Sequence, residues 1–444
     1  MLESASTIFA LSSGRDKAGI AVVRVSGPNA GPALKALTGS LPQARFAALV
    51  PINGASGDLI DRGLVLWFPA PASVTGEDVA ELHIHGGPAI VAAVLAALGA
   101  QPGLRPAEAG EFSRRAFHNG KLDLTQIEAL ADAIDAETEA QRAQAVRQME
   151  GELGKTVEAW RTEVMGALAH IEASIDFVDE ALPENIVDAA AARIEVVLPL
   201  MERQLDDSHR GERLRDGVRM VLVGAPNVGK SSVLNRLAGR DVSIVSTGAG
   251  TTRDVLEIHL DLAGYPVIVA DTAGLREVTE DVEAQGVRRA HDRAEAADLK
   301  IALFDGASWP HQDAATADMV DADTLVVVNK SDLMGDGRDV SGEALLISAK
   351  TGAGLDDLVD RLGQLAGEKA GLGEQSWLTR ARHRDALVLC MGHLQAFVSM
   401  RGTTEVEIAA EELRLGARAL GRITGRVNVD DLLDIVFLDF CLGK

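Results

Sequence analysis

Residues 218–231 hold the plainest chemistry in this 444-residue chain. VRMVLV (218–223) has the makeup of a buried strand. It runs into Gly224-Ala225-Pro226-Asn227-Val228-Gly229-Lys230-Ser231, where KSSVLNRLA predicts a helix. The spacing is G-x-x-x-x-G-K-S between a strand and a helix. Glycines there let backbone N–H groups close around phosphates, and the helix N-terminus adds positive potential. Asn227, Val228, Gly229, Ser231 and Ser232 would line that cradle. Lys230 would reach the β- and γ-phosphates as the catalytic cation, and the Ser231 hydroxyl would ligate magnesium. The bland alternative is a glycine-rich turn with a chance lysine, which the strand–loop–helix context disfavours.

A phosphate cradle specifies only a nucleoside triphosphate. Asn329-Lys330-Ser331-Asp332, directly after LVVV (325–328), narrows it. The Asp332 carboxylate can accept from both N1–H and N2–H of guanine. Adenine offers no such pair, and a buried carboxylate left without one is penalised. Asn329 would brace the loop and Lys330 would cover the base plane. Ser348-Ala349-Lys350, after ALLI, would complete the pocket with the Ala349 N–H at the guanine O6. Asp271-Thr272-Ala273-Gly274 ends VIVA. Asp271 would hold magnesium through water and the Gly274 N–H would sense the γ-phosphate. Between cradle and DTAG, Gly250-Thr251-Thr252-Arg253-Asp254 supplies Thr252 as a second magnesium ligand. Five elements in this order imply that GTP is bound and hydrolysed. Leu275 follows Gly274, so no glutamine stands there to orient the attacking water, and no cis-arginine finger is evident.

These residues need elements to position them. Strands and helices alternate over 218–365, which predicts a parallel sheet with crossover helices. Before it, GIAVVRVSG (19–27), LVLWF (64–68) and VAELHIHGG (79–87) predict strands of a mixed α/β domain, with a small apolar helix from Ala89 to Leu98. Leu153, Val157, Trp160, Val164, Leu168, Ile171 and Ile175 form one apolar stripe, as on a long helix that Pro183 would end or break. Another helix is expected around Ile194–Leu205, and three more at roughly 380–400, 405–420 and 429–438. Helices on both sides of an α/β unit suggest an inserted domain. The expected fold class is multi-domain α/β plus all-α: an N-terminal α/β domain, a helical domain, and an inserted P-loop (Ras-like) G domain with a mainly parallel sheet. The expected divisions are 1–118, 119–215, 216–372 and 373–444.

The chain sets 43 Lys and Arg against 66 Asp and Glu, a formal net charge of −23. That excludes a broad nonspecific grip on nucleic acid and points any RNA role towards a basic partner. Two cysteines, Cys390 and Cys441, make no disulfide framework. With no signal peptide and no apolar run long enough to span a bilayer, the expected location is the cytoplasm.

GAPNVGKSS, TGAGTTRD, DTAGLRE, TGEDVAELHIHGGP, FHNGKLDLTQIEA and the terminal FCLGK together resemble the tRNA-modification GTPase MnmE (TrmE) family over essentially the whole chain. The last three are specific to that family. The resemblance implies an N-terminal domain that dimerises and binds a formyl-tetrahydrofolate-type one-carbon donor through Arg24, Glu81, Lys121 and Lys444. It also implies a helical domain in two segments around the G domain. In place of an arginine finger it implies a potassium ion beside Asn227, Ser246, Gly248 and Thr251, with Thr247 and Ala249 in the same nucleotide-binding loop. Glu283 would hold a water that aligns the nucleophile. The implied assembly is a homodimer with the FAD-dependent flavoprotein MnmG, in a heterotetramer-type complex that contacts tRNA mainly through that partner. The implied activity is GTP hydrolysis that serves addition of a carboxymethylaminomethyl group to C5 of wobble uridine.

Plainer readings stand beside these. Glu283 could be part of a solvated acidic face with Glu280 and Asp281, and Arg24 and Glu81 could be a structural ion pair. His83 and His85 share a strand face without an evident third ligand, which favours packing or hydrogen bonding over a metal. Cys441 has nothing nearby in sequence to lower its pKa. A GTP-controlled ribosome-assembly factor is the rival function, but it would want a basic RNA-binding appendage. A passive folate-binding scaffold would not need an intact Lys230, Ser231, Thr252, Asp271 and Asp332.

Overall fold

The computed structural model describes residues 6–14, 16–176, 186–207, 209–240, 243–244, 257–271, 297–334, 344–371, 377–402, 405–427 and 443. The chain divides into two compact units, residues 1–131 with 420–444 and residues 132–419.

The first unit is built on a six-stranded sheet: β1 (Thr7–Leu11), β2 (Ala18–Ser26), β3 (Ala48–Asn53), β4 (Leu59–Phe68), β5 (Val79–Gly86) and β6 (Leu104–Pro106), in the order β3-β4-β5-β2-β1-β6. Alternation in β2 sends Val23 and Val25 to one face and Arg24 and Ser26 to the other. On the first face, Leu34 and Leu37 of α1 (Ala30–Thr38) and Val94 and Leu98 of α2 (Pro88–Gly99) join Val23, Val25, Leu82 and Ile84 in a buried core. Pro88 opens α2, where its missing N–H costs nothing and its fixed φ suits a first turn. Phe112 of α3 (Glu111–His118) packs with Ile8 and Ala10 in a separate small core. α4 (Leu124–Asp135) follows.

In the second unit, α5 (Glu139–Met149) begins at a capping box, Thr138 and Gln141 each satisfying the other's backbone. α6 (Glu152–Asp176) carries the expected stripe, with Leu153, Val157, Val164 and Ile171 at most 1% exposed. α7 (Ile186–Leu205) starts eight residues before the expected Ile194, because the alanine-rich IVDAAAARI continues its buried face through Ala190 and Ala191. Pro183 lies outside the described residues. After α8 (Arg210–Asp216) comes a seven-stranded sheet of β7 (Val218–Val223), β8 (Ser243–Ile244), β9 (Glu257–Leu262), β10 (Tyr265–Asp271), β11 (Leu299–Asp305), β12 (Thr324–Asn329) and β13 (Leu345–Leu346). Its order is β13-β12-β11-β7-β10-β9-β8. β7, β10, β11, β12 and β13 pair in parallel, while the β8–β9 and β9–β10 pairings are antiparallel.

α9 (Lys230–Ala238) and α11 (Leu355–Ala370) cover one face of this sheet, Leu234, Leu237, Leu358 and Leu362 meeting Met220, Leu222 and Val327. Trp309, close to α10 (Ala314–Ala317), packs edge-on to Phe304 on the other face. α12 (Ala381–Ser399) and α13 (Val406–Thr424) match two of the three helices expected near the C-terminus; the third, 429–438, lies outside the described residues. α7 packs against both α6 and α12, so helices from the two sides of the α/β segment meet. The fold class is α/β plus all-α, with a P-loop α/β unit between helical segments. No described helix is long and apolar enough to cross a membrane.

Candidate functional site

The parallel strands of the second unit deliver their C-terminal ends to one edge of the sheet, where ligands of such folds bind. β7 ends at the phosphate loop, β10 at Asp271, β11 at Asp305, β12 at Asn329, and the chain after β13 at Ser348. Positive φ at Asn227 (62°) and Gly229 (104°) curls the loop. Gly229 cannot be replaced without strain, because a Cβ there would lie 2.3 Å from Asn329 Nδ2. Lys230, 8% exposed, donates from Nζ to the carbonyls of Gly224 at 2.7 Å and Ala225 at 3.1 Å. Its ammonium is thereby held within its own cradle. Ser231 and Ser232 are exposed in the first turn of α9. A hydroxyl at that place suits a hard cation such as magnesium.

Asn329 joins the two halves of the site. Its buried side chain donates from Nδ2 to Val228 O at 2.8 Å, and its Oδ1 accepts from the Ala349 N–H at 3.0 Å. The Ala349 N–H, expected at the guanine O6, is therefore turned to Asn329 here. Ser348 donates from Oγ to Asp332 Oδ1 at 2.6 Å and accepts from the Thr351 N–H at 3.1 Å, which fixes the direction of the carboxylate expected to read the base. Lys330 sits at φ 62°, and its ammonium pairs with Asp305 Oδ2 at 2.7 Å. Partial burial works to raise the Asp305 carboxyl, but the Lys330 hydrogen bond and the Ala307 N–H outweigh it and hold the group below its ordinary value.

Sequence reading missed Asp305, Gly306 and Arg236. Gly306 lets β12 come close, since a Cβ there would meet Asn329 O at 2.8 Å. Arg236, two turns into α9, donates from Nε to Ala349 O at 2.8 Å and from Nη2 to Lys350 O at 2.7 Å. A carboxylate at the end of the strand beside NKSD was the one available signal for Asp305. None marked Arg236. Asp271 ends β10 as expected. Ser246, Thr247, Gly248, Ala249, Gly250, Thr251, Thr252, Thr272, Ala273, Gly274 and Glu283 lie outside the described residues.

In the first unit, β2 and β5 set Arg24 opposite Glu81, and the two form an ion pair at 2.9 Å. Glu81 also meets His83 Nε2 at 3.3 Å, and Arg24 lies 5.8 Å over the Phe112 ring. His85 pairs through Nδ1 with Asp61 at 2.9 Å, so both histidines are hydrogen-bonded to carboxylates. Lys121 is exposed just after α3, its side chain running past Gly76. The Gly443 carbonyl accepts from Ser12 Oγ at 2.8 Å. Lys444 and Cys441 lie outside the described residues. Burial pushes the Cys390 thiol up to about 12, which leaves it unreactive near neutrality.

Comparison with known proteins gives the family. The family model for the GTP-binding protein TrmE N-terminus matches residues 7–121, and that for the MnmE helical domain matches 124–441. The chain is 54% identical over 442 residues to the tRNA modification GTPase MnmE of Paramagnetospirillum magneticum, covering 99% of both. It is 54% identical to the protein of that name from Parvibaculum lavamentivorans, over 99% of this chain and 100% of the relative. It is 47% identical to the 5-taurinomethyluridine-[tRNA] synthase subunit GTPB3, mitochondrial, of Danio rerio, over 99% of this chain and 93% of that one. With a P-loop tied through Asn329 to the NKSD loop and relatives matched over nearly their whole length, this chain belongs to the MnmE (TrmE) family and is a GTP hydrolase.

Proposed function

We propose that this chain is a potassium-dependent GTPase whose cycle controls addition of a carboxymethylaminomethyl group to C5 of the wobble uridine in certain tRNAs. The observation that carries the nucleotide half is Asn329, whose single side chain ties the phosphate loop to the base-reading loop. The tRNA half rests on family membership and on relatives named for tRNA modification.

In this reading Lys230 exchanges its two carbonyl partners for phosphate oxygens. Asp332, steered by Ser348, reads the guanine Watson–Crick edge. Ser231 and Thr252 hold magnesium, which supplies charge neutralisation at the β- and γ-phosphates when bound. Asn227, Ser246, Gly248 and Thr251 hold potassium; the exposed amide of Asn227 and backbone carbonyls suit a large monovalent cation. Glu283 holds the water that aligns the nucleophile. Arg24 and Glu81, already paired on one sheet face, would meet the charged and ring N–H groups of a formyl-tetrahydrofolate-type donor, with Lys121 and Lys444 near its anionic tail. The divisions 1–118, 119–215, 216–372 and 373–444 then serve as folate-binding and dimerisation domain, helical segment, G domain and helical segment. A cytoplasmic homodimer works with the FAD-dependent flavoprotein MnmG, which carries most of the tRNA contacts.

GTP turnover in potassium against sodium tests the mechanism. Potassium should raise the rate on the order of a hundredfold, the scale of one preorganised charge at a transition state. Equal rates in both salts would remove the cation from the mechanism and leave the base specificity standing.

A further inference from the structure

Helix α5 has little apolar surface to bury: its buried residues are Gln144, Ala145 and Gln148. Gln141, Gln144 and Gln148 share one face of the helix, and each donates its Nε2 to a backbone carbonyl. Gln141 reaches Arg215 O at 2.9 Å and Gln144 reaches Gly211 O at 3.3 Å, both in α8, which leads into β7. Gln148 reaches Trp377 O at 3.0 Å, shortly before α12. One helix therefore holds the chain where it enters the α/β segment and where it leaves it.

The first turn of α5 makes a fourth contact. The Ala140 N–H, one of the donors that a helix start leaves without an intrahelical partner, donates to Gly264 O at 3.1 Å. Ala263 (φ 54°) and Gly264 (φ 86°) form the two-residue turn between β9 and β10. A Cβ disfavours the left-handed conformation of Ala263, so its surroundings must hold it there. Gly363 of α11 leaves room for it, since a Cβ on Gly363 would lie 3.2 Å from Ala263 Cβ, and Asp261 Oδ1 accepts from the Gly264 N–H at 2.8 Å. β9 pairs with β10 along its whole length, which makes the hairpin one stiff body. In sequence, β9 follows the segment that carries Thr252 and β10 ends at Asp271. The open end of the hairpin thus runs to the two segments expected to meet magnesium and the γ-phosphate, and its closed end rests on α5.

We infer that the β9–β10 turn on α5 is the contact that relays the nucleotide state to the two connections of the α/β segment. A shift of the hairpin bears on α5 at Ala140, and α5 passes it to α8 and to residue 377 through its three glutamines. The inference rests on the GTP site proposed above.

The contact can be locked and released. A Cβ on Gly264 would lie 4.0 Å from Glu139 Cβ, within the roughly 3.5–4.5 Å that a disulfide spans. Glu139→Cys combined with Gly264→Cys gives the lock, and comparing the oxidised and reduced forms of one chain cancels the strain of a cysteine at φ 86°. Hydrogen–deuterium exchange of the full chain, with magnesium and either GDP or a non-hydrolysable GTP analogue, is read at residues 210–216 and 377–380. In the parent and in the reduced double variant, the two nucleotides should give rates there that differ at least about fivefold, the low end of coupling between sites. Oxidation should bring the rates within about twofold of each other while both nucleotides still bind. Ala140→Pro removes the one donor at a place in the first turn where no intrahelical bond needs it, and should shrink the difference without a cross-link. A merely structural contact would leave the nucleotide difference intact, so a parent-sized difference in the oxidised chain or in Ala140→Pro overturns the inference. So does a parent that binds both nucleotides and shows no difference, which leaves the GTP site standing. If neither nucleotide binds, the GTP site and the relay fall together.

Discussion

Lys330 shows how a single residue depends on a partner that its own motif does not contain. Its backbone is held at φ 62° and its ammonium lies on Asp305, the last residue of the neighbouring strand. The pair is about a third exposed on each side, so its worth lies in direction more than in stability. Asp305→Asn should release the ammonium and speed GDP dissociation by roughly twofold to fivefold, which stopped-flow release of a fluorescent GDP analogue would register. The pH sign follows from the carboxyl being held below its ordinary value in the folded chain. Its contribution is complete above the ordinary Asp value and is lost as pH falls through the lowered one. The parent's GDP release should therefore quicken only at acid pH, while Asp305→Asn should be fast throughout and lose that dependence. NKSD announced Lys330 and Asp332 in sequence; Asp305 left one faint signal and Arg236 none, because their contacts come from β11 lying beside β12 and α9 facing the loop after β13. Pairings across 25 and 113 residues leave no local spacing to read.

At the scale of elements, what was legible was periodic. The stripe from Leu153 to Ile171 became the buried face of α6, and VRMVLV became β7, because a pattern of 3.6 or an unbroken apolar run has few other uses. β1, β3 and β6 passed unnoticed; β6 is three residues long and, among the described residues, pairs only with β1. The early start of α7 was missed for a different reason. Alanines bury well in a helix but scarcely register as an apolar stripe. α12 reaches α7 across the intervening α/β segment, joining helices far apart in sequence. Phe397, fully buried near its C-terminus, is among the largest such side chains. Phe397→Ala should cost about 3–5 kcal/mol, the range for an aromatic removed from a packed core. Urea unfolding should show that loss, while the GDP affinity of the folded protein stays unchanged, since Phe397 belongs to α12 and the nucleotide-facing loops to the β7–β13 sheet. A matching loss of GDP affinity would mean that the helices and the nucleotide site are coupled through α12.

For the whole molecule the governing quantity is charge. A formal −23 opposes a polyanion, and many of the arginines that might offset it are already committed. Arg105 and Arg115 are held by Glu111 and Glu77, Arg213 by Asp298, Arg380 by Asp132 and Arg384 by Asp207. A guanidinium in such a pair must first give up a carboxylate before it can neutralise a phosphate. If tRNA is carried mainly by a basic partner, this chain alone should release few counterions on meeting tRNA. A protein that neutralises six to ten phosphates loses about 10³–10⁵ in affinity between roughly 50 and 200 mM salt. The isolated chain should bind tRNA weakly and lose less than about tenfold over that interval, because its slope reports only a few phosphate contacts. With the proposed flavoprotein partner added, both the affinity and the slope should rise towards that larger range. Fluorescence anisotropy of labelled tRNA across a salt series would measure both. A steep slope for the chain alone would mean that a basic surface large enough to hold tRNA exists on it, and the division of labour between the two proteins would have to be reversed.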